Sequence, residues 1–242
     1  DSQHKGFYLD WEDDVETHGE RLSWLCLEAK APSILYRKMY GALADQIDEI
    51  KRLVDEHGVE FMVVDSAMLA CGTEPEKAEG PIKLFNALRT LGITTLLIAH
   101  SNKEGGLYGN VTWRNLGRNV WETKKQQEPG EDSLQIGLFH RKVNGGKLEK
   151  HQGYGITWDS TTITFKRIDV LDTPELAENV GLGTRITDAL DHGPMTAKEI
   201  AELLGKSEQA IGNYLRNGLG KSYQSDKAKP AAKWSLLSTR EK

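Results

Sequence analysis

The chain contains 242 residues, of which 38% are hydrophobic and 28% are charged, and its formal net charge is -5 at pH 7. This composition is ordinary for a globular protein and sufficient for one or two domains. No apolar run approaches the length of a membrane span, so we expect no membrane partner. Cys26 and Cys71 have neither metal-ligand nor disulfide spacing, which predicts a reducing, cytoplasmic location.

The predicted elements of the first half alternate between strands and helices. Short apolar runs predict strands over residues 7–10, 33–36, 61–65 and 93–99. Apolar residues at helical spacing predict helices in the three intervening segments, and Gly58 ends the second of these helices. Such alternation, with continuous apolar strands, is typical of a parallel sheet covered by helices on both faces. We therefore predict an α/β fold with a predominantly parallel sheet.

Polar side chains follow three of these strands. Glu12 and Asp13 lie just beyond the first strand, Asp65 and Ser66 end the third, and His100 ends the fourth. The carboxyl ends of parallel strands meet at one edge of a sheet, and ligands commonly bind there. Each residue alone is compatible with a helix cap or a loop hydrogen bond. Their shared edge favours a binding site.

An Asp-Ser pair after an apolar strand suits a nucleoside triphosphatase. Asp65 would order a magnesium ion through water, because Mg²⁺ prefers oxygen ligands and dehydrates reluctantly, and Ser66 would support that water shell. Glu12 would polarise the attacking water. His100 would detect the terminal phosphate from the end of its strand. The predicted cofactors are therefore ATP and Mg²⁺.

The motif that would hold the phosphates is not found in the sequence. A phosphate loop has the pattern G-x-x-x-x-G-K-S/T between a strand and a helix. Gly-Lys-Ser triplets occur at residues 205–207 and 220–222, but Ile200 and Leu215 stand where the first glycine is required. Neither triplet follows a predicted strand, so neither is a phosphate loop.

Four consecutive strands are predicted after residue 117, over residues 119–123, 134–142, 154–158 and 162–167. Arg141 and Lys142 end the second of them, before an Asn-Gly-Gly turn that would hold both side chains out from the body. Two interpretations stay open. These residues either neutralise charge at the phosphates of a neighbouring subunit or are ordinary surface charge.

Several segments, taken in order, resemble those of one ATPase family. FMVVDSAMLACG resembles the Walker B strand of RecA-type ATPases, and LLIAHSNKE resembles the strand that carries their polar sensor, here His100. FYLDWEDD resembles the strand that ends in the catalytic glutamate; Glu12 matches it, with Asp13 as a substitute. LYGNVTWRNLGRNVWE places Arg118 at a recurring arginine, and LFHRKVNGGK places Arg141 and Lys142 at basic residues that reach a neighbour's nucleotide.

The ordered set, over about residues 6–168, is most similar to the hexameric replicative helicases of plasmids and phages. The resemblance implies a RecA-like ATPase that uses ATP and Mg²⁺, acts on DNA and forms a homo-oligomer, with Arg118 at the nucleotide. In that family the phosphate loop comes earlier than the FYLDWEDD strand. We expect either that the sequence begins inside the domain or that this relative has lost the loop and binds without hydrolysing.

A second unit is predicted after a linker at residues 169–183, since residues 1–183 are net acidic and residues 184–242 are net basic. Thr196 and Glu199 form a capping-box pattern, and a Gly turn joins that helix to a third, capped by Ser207. Two short helices joined in this way are typical of a helix-turn-helix, and residues 227–237 resemble a wing hairpin. Residues 184–242 therefore resemble a winged-helix domain.

The predicted recognition helix would present polar side chains to DNA. The candidates for reading bases or contacting the backbone are Ser207, Glu208, Gln209, Asn213 and Arg216. The candidates for phosphate contacts are Arg216, Lys221, Lys227, Lys229 and Lys233. The alternative is a protein-docking winged helix. The two functions that remain open are a nucleotide-driven motor or switch acting on DNA and a non-hydrolysing adaptor.

Overall fold

The computed structural model describes residues 5–27, 29–74, 76–101, 108–226 and 231–237. The chain divides into two compact units: residues 1–121, 140–148 and 157–164 form the first, and residues 122–139, 149–156 and 165–242 form the second. The predicted domain boundaries at residues 168 and 184 stay predictions. In the described part of the chain, no helix is both long and apolar enough to cross a bilayer.

The first elements in the chain alternate as the apolar pattern predicts. They are β1 (Gly6–Asp10), α1 (Val15–Cys26), β2 (Ile34–Lys38), α2 (Ile47–His57), β3 (Phe61–Asp65), α3 (Ala67–Ala70), α4 (Glu79–Leu91), β4 (Thr94–Leu97) and α5 (Thr112–Leu116). The four strands form one sheet in the order β2-β1-β3-β4, and each neighbouring pair is parallel. The predicted parallel α/β sheet is confirmed.

The two faces of this sheet are covered unequally. Phe7 and Met62 are fully buried on one face, against Ile50 of α2 and Leu84 of α4. On the other face Leu96 is 51% exposed, and α1 contains no buried residue. Beside it on that face, His18 of α1 packs against Tyr8 and Tyr36, so the predicted sheet flanked by helices is confirmed, with the second face only partly covered within the described residues. An apolar strand sequence shows that a strand is suited to burial but not which part of the chain buries it.

The next elements are β5 (Asn119–Gln126), β6 (Ser133–Val143), β7 (Gln152–Trp158) and β8 (Ile163–Ile168). They form a second sheet in the order β5-β6-β7-β8, as the four predicted strands require. Part of the predicted linker, residues 169–183, is folded. These residues contain the short helix α6 (Pro174–Ala177), and Val170 and Leu176 are buried against Phe139.

The last elements are α7 (Leu182–Asp191), β9 (Met195–Thr196), α8 (Ala197–Leu204), α9 (Glu208–Asn217), β10 (Tyr223–Ser225) and β11 (Lys233–Leu236). The strands form a small antiparallel sheet in the order β10-β11-β9. Ile186, Ile211 and Trp234 are buried in the core beneath it. The predicted capping box at the start of α8 is confirmed: Thr196 and Glu199 each accept a hydrogen bond from the other's backbone N–H.

Candidate active site

The carboxyl ends of β1, β3 and β4 bring the predicted site residues to one edge. Asp10 and Asp65 are paired residues at the ends of β1 and β3, and the Trp11 N–H donates to the Asp65 carbonyl oxygen at 2.7 Å. The Ile98 N–H donates to the Val64 carbonyl oxygen at 3.0 Å, which continues the pairing of β4 with β3. The chain beyond each strand therefore leaves from the same edge.

Glu12, Ser66 and His100 meet at this edge. Glu12 Oε1 accepts a hydrogen bond from Ser66 Oγ at 2.5 Å and lies 2.9 Å from His100 Nε2. Ser66 is fully buried, whereas the side chains of Glu12 and His100 are 39% and 57% exposed. The hydrogen bonds from Ser66 and His100 hold the pKa of Glu12 below its ordinary value. Glu12 is therefore an accessible carboxylate at neutral pH, as a general base requires.

Asp65 lies immediately beside this group. Its Oδ2 accepts a hydrogen bond from the Tyr8 hydroxyl at 2.6 Å, and the Asp65–Ser66 peptide bond is cis. Burial, followed by the hydrogen bond to Asp65, raises the pKa of Tyr8. Tyr8 therefore stays a neutral hydrogen-bond donor, so its hydroxyl places no second anion beside the Asp65 side chain.

Asp65 and Ser66, the predicted metal-site residues, carry carboxylate and hydroxyl oxygen atoms, the type of ligand that Mg²⁺ prefers. Among the described residues, no group of three or more His, Cys, Asp or Glu side chains surrounds a single metal position. Magnesium commonly uses one or two carboxylates and takes its other ligands from water and substrate phosphates. The residues present therefore fit a magnesium ion that is bound together with a nucleotide.

Asp13, the predicted substitute for Glu12, takes a different place. Its carboxylate forms an exposed ion pair with Arg21, at 2.7 Å, and its carbonyl oxygen accepts a hydrogen bond from the Lys38 ammonium. Glu12, not Asp13, contacts Ser66 and His100. The structure therefore favours Glu12 as the acidic residue of this edge.

Asp10 is a residue that the sequence analysis missed. Its side chain is fully buried, and its Oδ1 accepts the backbone N–H groups of Glu12 and Asp13 at 2.8 and 3.0 Å. Its Oδ2 accepts the Tyr36 hydroxyl at 3.0 Å and lies 3.0 Å from His18 Nε2. The sequence could have identified Asp10 by its position, because Asp10, like Asp65, is an aspartate that ends a buried apolar strand.

The basic residues predicted to reach a neighbouring subunit are Arg118, Arg141 and Lys142. Lys142 Nζ donates to the carbonyl oxygens of Arg114, Asn115 and Gly117 at 3.0, 2.8 and 2.6 Å. The prediction that the following turn holds Lys142 out from the body is wrong, because its ammonium group binds the carbonyl end of α5, where a positive charge is favourable. Arg118 is exposed, and Arg141 is half-buried near the end of β6.

The predicted DNA-contacting side chains lie on the exposed side of α9 and beyond it. Ile211 and Leu215 of α9 are fully buried, so the opposite side of the helix faces solvent. Ser207 caps the helix by accepting the Ala210 N–H, and Arg216 Nη2 donates to Asn213 Oδ1 at 2.6 Å. The exposed members of the predicted set are Ser207, Glu208, Gln209, Asn213, Arg216, Lys221 and Lys233. Lys227 and Lys229 lie outside the described residues.

Comparisons with known proteins identify the fold. No protein-family model matches the chain, and a search of curated proteins finds no match. Among solved structures, the chain is similar to a KaiC-like protein from the hyperthermophilic archaeon Pyrococcus horikoshii, with 17% sequence identity and a TM-score of 0.50. The match covers 67% of this chain and 76% of that chain. The chain therefore has a RecA-like fold.

Proposed function

We propose that the intact protein binds ATP with Mg²⁺ and hydrolyses it at the edge formed by β1, β3 and β4. The observation that carries this proposal is the convergence of Glu12, Ser66 and His100 within 2.9 Å, directly beside Asp65. A carboxylate base, a metal-ordering carboxylate and a polar sensor are the parts that phosphoryl transfer to water needs besides the phosphate cradle. In a RecA-like fold, this edge of the sheet is also where ligands are expected.

Each residue has a chemical task in this proposal. Asp65 and Ser66 would hold the water shell of Mg²⁺, and the ion would neutralise charge on the phosphate oxygens. Glu12 accepts a proton from the attacking water. His100 shares the Glu12 Oε1 atom with Ser66 and is more than half exposed. A terminal phosphate oxygen can therefore compete with Glu12 for the His100 ring.

The direct test is release of inorganic phosphate from ATP by the intact protein. We expect hydrolysis that requires Mg²⁺ and that stops when EDTA removes the metal. If the intact protein binds ATP with Mg²⁺ but releases no phosphate at any protein concentration, the hydrolytic assignment is wrong. That result would favour the non-hydrolysing adaptor.

We further propose that the protein is a DNA-acting motor or switch of the replicative-helicase type, which works as a homo-oligomer. The C-terminal elements α7 to β11 support this proposal, because they suit a winged helix with α9 as its recognition helix. Gln209 and Asn213 are exposed on that helix, and their amide groups can pair with adenine edges in the major groove. Arg216, Lys221 and Lys233 are exposed and available for phosphates.

Salt dependence tests this DNA contact. If all five predicted basic residues engage phosphates, the slope of log K against log salt concentration is about -4 to -5. Replacing Lys221 and Lys233 together with Gln should make that slope less steep by about two and weaken all sequences alike. Fluorescence anisotropy of a labelled duplex at several salt concentrations measures it, with Lys83→Gln on α4 as the control that keeps the slope. Gln209→Ala should instead change sequence preference.

The adaptor function stays as the second candidate because of exposed apolar side chains in the C-terminal elements. Leu203, Tyr214 and Leu219 are 62%, 41% and 48% exposed, and exposed apolar groups are typical of protein-docking surfaces when they adjoin one another. Duplex DNA binding that is absent even at low salt would favour this function over the motor.

A further inference from the structure

The proposed mechanism leaves one buried charged group without a task. Asp10 is fully buried at the end of β1, and a buried carboxylate is unfavourable unless hydrogen bonds compensate it. Here four groups do so: the Glu12 and Asp13 amides at Oδ1, and the Tyr36 hydroxyl and His18 ring at Oδ2. The chain therefore keeps a charge in its interior next to the candidate active site.

The charge state of Asp10 follows from these contacts. Burial alone would raise the pKa of Asp10, but the hydrogen bonds from Asp13, Glu12, Tyr36 and His18 together outweigh it, so the pKa lies below its ordinary value. Asp10 is therefore an anion at neutral pH. Hydrogen bonds to an ionised acceptor are shorter and stronger than those between neutral groups, so the turn after β1 is held firmly.

Three aromatic rings, those of His18, Tyr8 and Tyr36, pack together, and two of them contact Oδ2, the second oxygen atom of the Asp10 carboxylate. The His18 ring packs against both Tyr8 and Tyr36, with centroid distances of 4.6 and 5.6 Å. Tyr36 and His18 bind Asp10, while Tyr8 binds Asp65. One packed set of rings thus orients the carboxylates that end both β1 and β3.

We propose that Asp10 is the positioning residue for Glu12: its carboxylate anchors the backbone of residues 12 and 13 and thereby places the Glu12 side chain against Ser66 and His100. The inference rests on the proposed function, because Glu12 is the base of that reaction. Asp10 is fully buried and acts through Glu12, not on the substrate. Without its carboxylate, two backbone N–H groups lose their acceptor and the turn is free to move Glu12.

The decisive experiment compares Asp10→Ala in the wild-type protein and in the Glu12→Gln protein. In the wild type we expect kcat for ATP to fall by about 10²-fold, the scale of a misplacement of about 1 Å, while KM changes less than about twofold. In the Glu12→Gln background, where kcat is already lower by about 10²- to 10⁴-fold, the same change should lower kcat by less than about twofold. Equal losses in the two backgrounds would overturn the proposal, because Asp10 would then act independently of Glu12.

Milder variants keep the test informative if Asp10→Ala does not fold. Asn at position 10 retains an oxygen that can accept both amide N–H groups, so Asp10→Asn should recover most of the kcat that Asp10→Ala loses. Tyr36→Phe removes one hydrogen bond to Oδ2 and should lower kcat less than Asp10→Ala does. If Asp10→Ala does not fold, Tyr36→Phe decides: a Tyr36→Phe protein that is folded by circular dichroism and retains full kcat would show that the proposal is wrong.

Asp14→Ala is the matched control. Asp14 caps α1 by accepting the Thr17 N–H at 2.8 Å, so its loss weakens the same segment while leaving the amides of residues 12 and 13 bound to Asp10. We expect a lower melting temperature and an unchanged kcat. If Glu12→Gln itself has no effect on kcat, the base assignment of the proposed function has failed. A large Glu12→Gln effect with no effect of Asp10→Ala would refute the positioning role alone.

Discussion

Asp65→Asn is expected to abolish ATP turnover by the intact protein. The substitution removes the carboxylate to which the proposed mechanism assigns Mg²⁺, while the amide oxygen of Asn can still accept the hydrogen bond that the Tyr8 hydroxyl donates at 2.6 Å to Asp65. The strand end therefore keeps its packing but loses its affinity for the metal. Glu12→Gln should lower turnover by about 10²- to 10⁴-fold, the usual contribution of a general base, and should spare ATP binding.

Phosphate release and equilibrium ATP binding, measured side by side, separate these effects. Asp55→Asn is the control, because Asp55 forms an exposed ion pair with Lys51 on α2, and it should leave both quantities unchanged. Circular dichroism establishes that each variant is folded. If neither Asp65→Asn nor Glu12→Gln changes the rate of ATP turnover, this edge of the sheet is not the site of hydrolysis.

Arg141→Ala is expected to cause the second large loss of ATP hydrolysis, if Arg141 acts on the nucleotide of a neighbouring subunit. An arginine supplied in this way stabilises transition-state charge and contributes about 10³- to 10⁵-fold to hydrolysis. Arg141 lies three residues before a turn in which Gly145 has a φ of 92°, a conformation that favours glycine. Lys142 is a weaker candidate, because its ammonium group already binds the carbonyl end of α5.

Mixing two inactive proteins tests the action between subunits. An oligomer that contains both Arg141→Ala and Asp65→Asn subunits has interfaces in which an intact Arg141 meets an intact Asp65. Some hydrolysis should therefore return on mixing, with a maximum at intermediate ratios. Lys147→Ala, in the exposed turn after β6, is the control for a simple loss of surface charge. Activity that stays absent at every ratio would place Arg141 within a single subunit.

The sequence determines the strands of the parallel sheet and the polar residues at their ends. Continuous apolar runs that stop at Asp65 and His100 are local patterns, and the period of the side chains reports the type of element directly. The capping box of Thr196 and Glu199 was predictable for the same reason, because all of its hydrogen bonds lie within four residues. The convergence of Glu12, Ser66 and His100 followed from parallel topology, which aligns the carboxyl ends of the strands.

Only the tertiary structure decides which of these polar groups touch. Asp10 and Tyr36 are 26 residues apart, and Lys142 reaches carbonyl groups 25 to 28 residues earlier in the chain. Partners at such separations leave no periodic signal, because a single hydrogen bond depends on how several elements pack. The sequence therefore identifies groups suited to phosphate chemistry, while packing determines that Asp10 accepts the Glu12 N–H and that Lys142 binds the carbonyl end of α5. The physical reason is that side-chain type is a local property, whereas burial and hydrogen-bond geometry depend on residues distant in the chain.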